Sequence, residues 1–417
     1  MTEEKKHIVI TGVGVVAPNG IGKEEFWNNC LAGVSGIKPI TLFDTSKYRC
    51  HHAGEISNFQ PEKYLGPKGL RNLDRTTLLA LVAAKLAIED AKLEITDANA
   101  DDIGVVLGST MGSVHSISEF DKEGLREGPR YVNPAHFPNT VINSPASQVA
   151  IRFGLRGLNS TISTGFSAGL DAVGYAMDML RLGRANTLVV GGVEELCIQT
   201  FLGFYKLGLL ATESNGAPPM YAPFDPKRCG TLLGEGAAFV VLETLEQAGG
   251  RNARTYAELL AYATQFHSAS MYRYDPEAVG PISVTEQVLN DAHIGPDAVD
   301  LISACANSTG TDDAMELKAI RTVLGPRADV VPVSTVKTVL GESFSAAGAL
   351  QLAAATGSLV LQQTAPALCV QSQRSFCEVH NARSVGDSNQ PQIVLINSFG
   401  PMGISSALVI SAECGCI

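Results

Sequence analysis

Five residues, Gly165-Phe166-Ser167-Ala168-Gly169, stand where a β-rich stretch gives way to a helical one. A serine between glycines at this spacing is the pattern of a nucleophile elbow, a sharp turn that lifts a hydroxyl clear of the sheet for acyl chemistry. A hydrolase built on Ser167 also needs an acid and a histidine further along, and the one late histidine is His380. The apex of the turn, however, is Phe166, and a phenyl ring can hold no acyl group. A second candidate, Gly12-x-Gly14-x-x-Ala17, follows a strand as a dinucleotide-binding turn does. The acidic residue that should come about 20 positions on is missing. Gly33 to Pro39 carries none, and Asp44 lies too far. Pro18 and Asn19 also break the helix that would receive the phosphates, so the segment reads as a tight turn.

Positioning the elbow requires a strand before it and a helix after it, and the sequence supplies both repeatedly. Buried-strand patterns occur at His7 to Thr11, Ile103 to Gly108, Ser160 to Ser163, Thr187 to Gly191 and Ala237 to Glu243. Helical spacing of apolar residues falls at Glu24 to Leu31, Asp74 to Ala91, Ser147 to Phe153 and Gly169 to Leu182. The second half repeats the grammar. Strands lie at Tyr256 to Tyr262, Leu301 to Ala304, Ile393 to Asn397 and Ser406 to Ile410, and helices at Val284 to Ala292, Met315 to Val323 and Ala346 to Gln362. Alternation of this kind predicts an α/β protein with helix-covered, mostly parallel sheets. Gly249 to Arg254 is the natural seam, giving halves 1–250 and 251–417. Between Ser109 and Pro145 runs a long excursion punctuated by glycine and proline.

The charge balance narrows the partners. A net charge of −11 opposes nucleic acid or an anionic membrane as the main partner. No apolar run reaches the roughly 18 residues of a membrane span. No signal peptide opens the chain, and the nine cysteines are scattered without a C-x-x-C pair. They read as reduced thiols in a cytoplasmic protein, not as a disulfide framework or a zinc site. The tail Cys414-Gly-Cys-Ile417 has neither the aliphatic middle nor the upstream basic residues of a prenylation box.

Further segments point to a family. They are Val9 to Gly20, Glu25-Phe-Trp27, Gly36-Ile-Lys-Pro-Ile40, Arg71-Asn-Leu-Asp-Arg75 and Asn133-Pro-Ala-His-Phe-Pro138. To these add Pro223 to Ala237, Ser334-Thr-Val-Lys-Thr338 and Asn397-Ser-Phe-Gly400. Together they resemble the ketosynthase family of the thiolase superfamily along nearly the whole chain. The resemblance implies a thiolase-like five-layered α-β-α-β-α sandwich of two similar halves, working as a dimer without metal or cofactor. Its mechanism uses a cysteine, two histidines, a lysine and an oxyanion hole. By the same resemblance the cysteine position is Phe166 and the first histidine is Asn307, in Asn307-Ser-Thr-Gly-Thr311, where the following loop is about two residues short. The second histidine is Glu342, in Lys337-Thr-Val-Leu-Gly-Glu342, and only Lys337 is retained. The second oxyanion donor falls on Pro401, which has no N–H to give.

A ketosynthase stripped this far resembles the chain-length factor of type II polyketide synthases, aromatic or polyene, although chain-length factors often carry glutamine where Phe166 stands. What that implies is a non-catalytic subunit paired with an active ketosynthase, the strand near Asn159 to Thr164 crossing the two-fold axis. The polyketide chain would occupy a tunnel at the shared interface, with Met111, Val114, His136 and Phe137 facing it. The acyl carrier protein would dock mainly on the partner. The competing readings are a residual acyl hydrolase or acyltransferase using Ser167, and a stand-alone acyl-binding scaffold.

Overall fold

Ile8–Ala17 forms strand β1, all ten residues buried, because it pairs with strands of both halves of the chain. The computed structural model describes residues 6–212, 221–268, 274–365, 390–412 and 414. After β1 come the short β2 (Gly20–Ile21), α1 (Lys23–Leu31), a separate two-stranded ribbon of β3 (Ile37–Pro39) and β4 (His52–Gly54), and the single turn α2 (Glu62–Leu65). The first half continues through α3 (Arg75–Asp90), β5 (Ile103–Gly108), α4 (Val114–Glu127), α5 (Ser144–Phe153) and β6 (Asn159–Ile162). It closes with α6 (Ala168–Arg181), β7 (Thr187–Glu194), α7 (Ile198–Lys206), β8 (Gly236–Thr244) and α8 (Leu245–Gly250). The second half runs β9 (Ala257–Phe266), α9 (Val279–Asp291), β10 (Leu301–Ser303), α10 (Gly310–Leu324), β11 (Val333–Ser334) and α11 (Lys337–Leu340). Then come α12 (Ser345–Leu361), β12 (Ile393–Phe399) and β13 (Ile404–Ser411).

One topology is used twice. The strand order is β6-β5-β7-β8-β1 in the first half and β11-β10-β12-β13-β9 in the second, joined where β1 meets β9 at Ile8–Ile10. In each half the first strand lies beside the last, followed by the fourth, second and third. The layers follow from which helices cover which strands. α3 and α5 pack outside the first set and α9 outside the second, with α10 against α9, while α6 and α12 fill the space between. A central helix must be apolar all round, and α12 is buried from Ser345 through Leu359. The two central helices meet closely at their N-termini. A Cβ built on Gly169 would lie 2.1 Å from the Ser345 carbonyl oxygen, so only glycine fits there. α3 starts where Asp74 accepts from the Thr77 N–H at 2.7 Å, a cap worth about 1 kcal/mol.

Two expectations need correction. The sheet is mixed, not mostly parallel: β5 with β6 and β7, and β10 with β11 and β12, are parallel, while the pairs linking β7, β8, β1, β9, β13 and β12 are antiparallel. Strand alternation with helices sets the sense only where a helical crossover joins neighbours. In each half the last strand lies antiparallel between the first and fourth, and in the second half it returns through the Gly400–Gly403 turn. The excursion from Ser109 to Pro145 is also more ordered than its punctuation suggests, holding α4 and a 3₁₀ turn at Pro134–Thr140. Among the described residues no helix is long and apolar enough to cross a membrane.

Candidate functional site

The elbow lies between β6 and α6. Gly165 takes φ +90°, a conformation open to glycine, and its carbonyl accepts from the Thr110 hydroxyl. Phe166 follows at the apex, 7% exposed, with its ring facing away from solvent. Its centroid is 5.2 Å from Phe344 in an edge-on contact and 6.2 Å from Phe204, and those two rings are 5.0 Å apart. Ser167 is fully buried and donates its hydroxyl to the Ser398 carbonyl at 2.8 Å, so the elbow's serine is spent on joining α6 to β12. His380 lies outside the described residues.

Loops of the second half bring Asn307, Lys337 and Glu342 together beneath this turn. Asn307 sits between β10 and α10, Lys337 opens α11, and Glu342 lies just before α12. Glu342 is fixed through its backbone, its N–H donating to Leu232 O at 2.7 Å and its carbonyl accepting from Gly234 at 2.8 Å. Its side chain takes the Lys337 ammonium at 2.7 Å on one oxygen and the Phe344 N–H at 2.9 Å on the other. The Asn307 amide reaches the same carboxylate at 3.4 Å, while its own oxygen accepts from Thr309 N–H. Lys337 and Glu342 are both buried. Burial opposes the lysine's charge, but Cys305 and then Glu342 and Asp312 beside it hold its pKa above the usual range.

Around this pair lies a shell of buried groups. Cys305 Sγ is 3.5 Å from Lys337 Nζ and accepts from Phe399 N–H at 3.2 Å, and burial pushes its thiol well up. Glu316 accepts from Cys305 N–H, Ala306 N–H and Asn397, and burial still raises it to about 7. Asp313 accepts from Phe224 and Ser308 N–H and lies 3.3 Å from Arg228, with burial raising it to about 6. Asp312 differs. It is fully buried, and among the described residues neither carboxyl oxygen has a hydrogen-bond partner. Burial drives its pKa far up, Lys337 only partly offsetting this.

Pro401 occupies the turn between β12 and β13, beside the elbow: a Cβ built on the preceding Gly400 would lie 3.8 Å from Phe166 N. No N–H is available from position 401 to stabilise an oxyanion there. Among the described residues no group of three or more histidine, cysteine or acidic side chains is placed to hold a metal. The assembled side chains form an ion pair and an aromatic cluster, with no thiol or imidazole at the apex.

The proposed tunnel residues divide between two places. Thr110 and Met111 donate their N–H groups to Glu194, which is buried and raised by that burial to about 7, so Met111 stays beside the elbow. Val114 opens α4, whose next residue, His115, donates its N–H to Glu195 at 3.2 Å. His136 and Phe137 lie across α4 on the 3₁₀ turn, exposed, with Phe137 6.2 Å from Phe120. His136 lines a cleft of about 440 Å³ with Arg71, Asp74, His115, Glu119 and Phe120. The structure thus places Met111 with the elbow but not His136 or Phe137. α4 buries none of its residues, and Leu125, Tyr131, Phe137 and Ile151 are 88, 74, 57 and 73% exposed. Beside them β6 ends the sheet, its outer edge unpaired among the described residues.

Reading the sequence missed Phe204, Phe344, Cys305 and Asp312. The first had a signal, since Phe201, Phe204 and Tyr205 are spaced to line one helix face. Thr309 followed three residues on by Asp312 is a helix-start signature, and Thr309 does cap α10. Phe344 and Cys305 carry no local signal.

Comparison with known proteins places this geometry. Residues 5–248 match the family model for the N-terminal domain of beta-ketoacyl synthase, and residues 256–371 match the model for its C-terminal domain. The chain is 35% identical to a 3-oxoacyl-[acyl-carrier-protein] synthase 2 from Coxiella burnetii over 98% of its own length and 99% of that protein's. It is 31% identical to the protein of the same name from Staphylococcus aureus strain N315, covering 97% of this chain and 98% of that one. Among solved structures, the ishigamide ketosynthase/chain length factor superposes with a TM-score of 0.89 at 29% identity, covering 98% of this chain and 100% of that one. A type II polyketide synthase acyl-carrier protein in complex with its ketosynthase bound to the hexaketide (AntDE:AntF) gives the same score, identity and coverage.

Proposed function

The chain belongs to the beta-ketoacyl synthase family, and from that premise we propose that it is a non-catalytic chain-length factor, the partner of an active ketosynthase in a type II polyketide synthase. The observation that carries the reading is the occupied apex. Where the family's chemistry calls for a thiol beside two imidazoles, this chain has Phe166 packed on Phe204 and Phe344 above a buried Lys337–Glu342 pair. Each substitution removes a different requirement: Phe166 the nucleophile, Asn307 and Glu342 the groups that would hold and decarboxylate the extender, and Pro401 one oxyanion donor. Loss of one such donor alone typically costs ~10²–10³ in rate.

A subunit without chemistry needs a partner that has it. The unpaired edge of β6 and the exposed apolar residues of α4 and α5 offer a surface for that partner. An obligate interface of this kind buries more than ~2,000 Å². With a net charge of −11 on this chain, the acidic carrier protein would dock mainly on the ketosynthase. The growing chain would then run past Met111 and Val114, which would limit its length, with His136 and Phe137 further along the excursion. The buried Ser167, committed to Ser398, argues against the hydrolase reading. The test is co-expression with a ketosynthase carrying the cysteine and both histidines. The pair should purify as one species and make polyketide, while this chain alone forms no acyl adduct with acyl- or malonyl-carrier protein. A stoichiometric acyl adduct on any residue of this chain, or a stable monomer indifferent to the ketosynthase, would end the reading.

A further inference from the structure

Phe344 has a backbone that does not suit it. At φ 51°, ψ −120° it occupies the first central position of a type II′ turn, a conformation natural to glycine and costly for a residue with a Cβ. A glycine there would relieve the strain and leave the backbone path unchanged. What a glycine would lack is the ring, which packs edge-on to Phe166 and also against Phe204. Leu196, Phe201, Leu210 and Leu233 close the same cluster from outside. The Ala346 N–H closes the turn on Ser343 O at 3.0 Å, and one side chain holds the Phe344 N–H itself. Glu342 accepts the Phe344 N–H on one oxygen while Lys337 fixes the other, and the backbone of Glu342 is tied to Leu232 and Gly234.

We propose that Glu342 is a positioning residue that holds Phe344 in this turn, completing a three-ring plug of Phe344, Phe166 and Phe204 that closes the chain's own acyl pocket. Glu342 is thus more than a missing histidine: its carboxylate keeps the pocket shut, so a growing chain is confined to surfaces outside it. The inference deepens the function proposed above and rests on it for the identity of the chain excluded.

The test is thiol accessibility at the apex of the full-length protein, purified with its ketosynthase where the pair is needed. Phe166→Cys supplies the reporter. Modification of position 166 by methyl and by hexadecyl methanethiosulfonate is followed by peptide mass mapping, which separates it from the native cysteines. In Phe166→Cys the long reagent should react at least about tenfold more slowly than the methyl reagent, because Phe344 and Phe204, still 5.0 Å apart, cover position 166 and leave room for a small group but not for a chain. Adding Phe344→Gly, which removes both ring and strain and so keeps the fold, should bring the long reagent's rate up to the methyl rate. Glu342→Ala should open the pocket in the same way. Glu342→Gln, whose amide oxygen still accepts the Phe344 N–H, should leave it closed. Equal rates for the two reagents in Phe166→Cys would overturn the plug, and so would a closed pocket in the Phe344→Gly variant. An unchanged rate with Glu342→Ala, or an open pocket with Glu342→Gln, would overturn the positioning role. If Glu342→Ala does not fold, the Phe344→Gly and Glu342→Gln variants still decide. Product length is not read in these experiments, so a failure of the chain-length reading would leave every one of these rates where it was.

Discussion

The site around Phe166 and the excursion from Ser109 to Pro145 place their apolar side chains in opposite ways. At the site the groups turn inward: Phe166 packs on two rings, Lys337 on Glu342, and Ser167 on Ser398. In the excursion α4 buries no side chain, Leu125 and Tyr131 stand in solvent, and the chain is tied down on either side of α4, through Glu194 and Glu195 before it and through Asn139, which donates to Asn72 O at 2.7 Å, after it. A region that is complete within one chain needs nothing more. A region with apolar side chains on the outside is complete only when something covers it.

The sharpest way to break the inner region is to remove half of its ion pair. Lys337→Met leaves Glu342 buried without a countercharge and should cost about 3–5 kcal/mol in urea or guanidinium unfolding. The double variant Lys337→Met/Glu342→Leu should recover most of that, since neither charge then remains to be desolvated. If the single variant is neutral, the pair is hydrated and the site is not sealed.

The anchors of the excursion should respond to pH. Burial raises Glu194 to about 7 and Glu195 to about 8, from an ordinary 4.5, with Asp74 and Glu235 adding to the rise at Glu195. Both therefore keep their protons in the folded protein after the unfolded chain has released them. Stability is full below pH 4.5 and falls as pH climbs from 4.5 towards about 8, by up to about 1.4 kcal/mol per pH unit for each group. Glu195→Gln retains an acceptor for the His115 N–H and should flatten the slope. An unchanged slope between mildly acidic and mildly basic unfolding curves would place the titration elsewhere.

Smaller effects should fall on the surface proposed to face a partner. In the reconstituted pair Val114→Phe should shorten the product, and Met111→Ala should lengthen it or broaden its distribution. Each ketide adds about two carbons, a few ångströms of depth. Wild-type product ratios from both variants would put the length limit on other residues. The least effect is expected at His136, exposed on its 3₁₀ turn: His136→Ala should leave the stability of the chain by itself within about 0.5 kcal/mol. A larger loss would mean that its cleft is a packed part of the fold.

Much of this architecture was legible in the residues. β5 runs over Ile103 to Gly108, the bounds its unbroken apolar run suggested, and α6 and α12 differ from their predicted spans by one residue at either end. Buried elements announce themselves because all their faces must be apolar. Strand sense was not legible, since it depends on which strand becomes the neighbour and not on the strand's own composition. α4 was passed over although Val114, Ile117 and Phe120 are at helical spacing, because that short stripe is flanked by glycines and prolines. At the site, the positions that a resemblance marks could be named one by one. That three rings from α7, the elbow and the loop before α12 meet at 5.0–6.2 Å could not, because the contact depends on tertiary approach alone. Asp312 escaped for a similar reason, since a carboxyl without a partner is a property of its surroundings.

The close approach of Gly169 to Ser345 sets the N-termini of α6 and α12 side by side. A helix start carries roughly half a positive charge, so two of them converge on one small volume. In a working acyl-transfer site such a field is kept vacant for negative charge that exists only in passing. Here Glu342, just ahead of α12 and bonded to the Phe344 N–H, lends it a carboxylate for the lifetime of the fold.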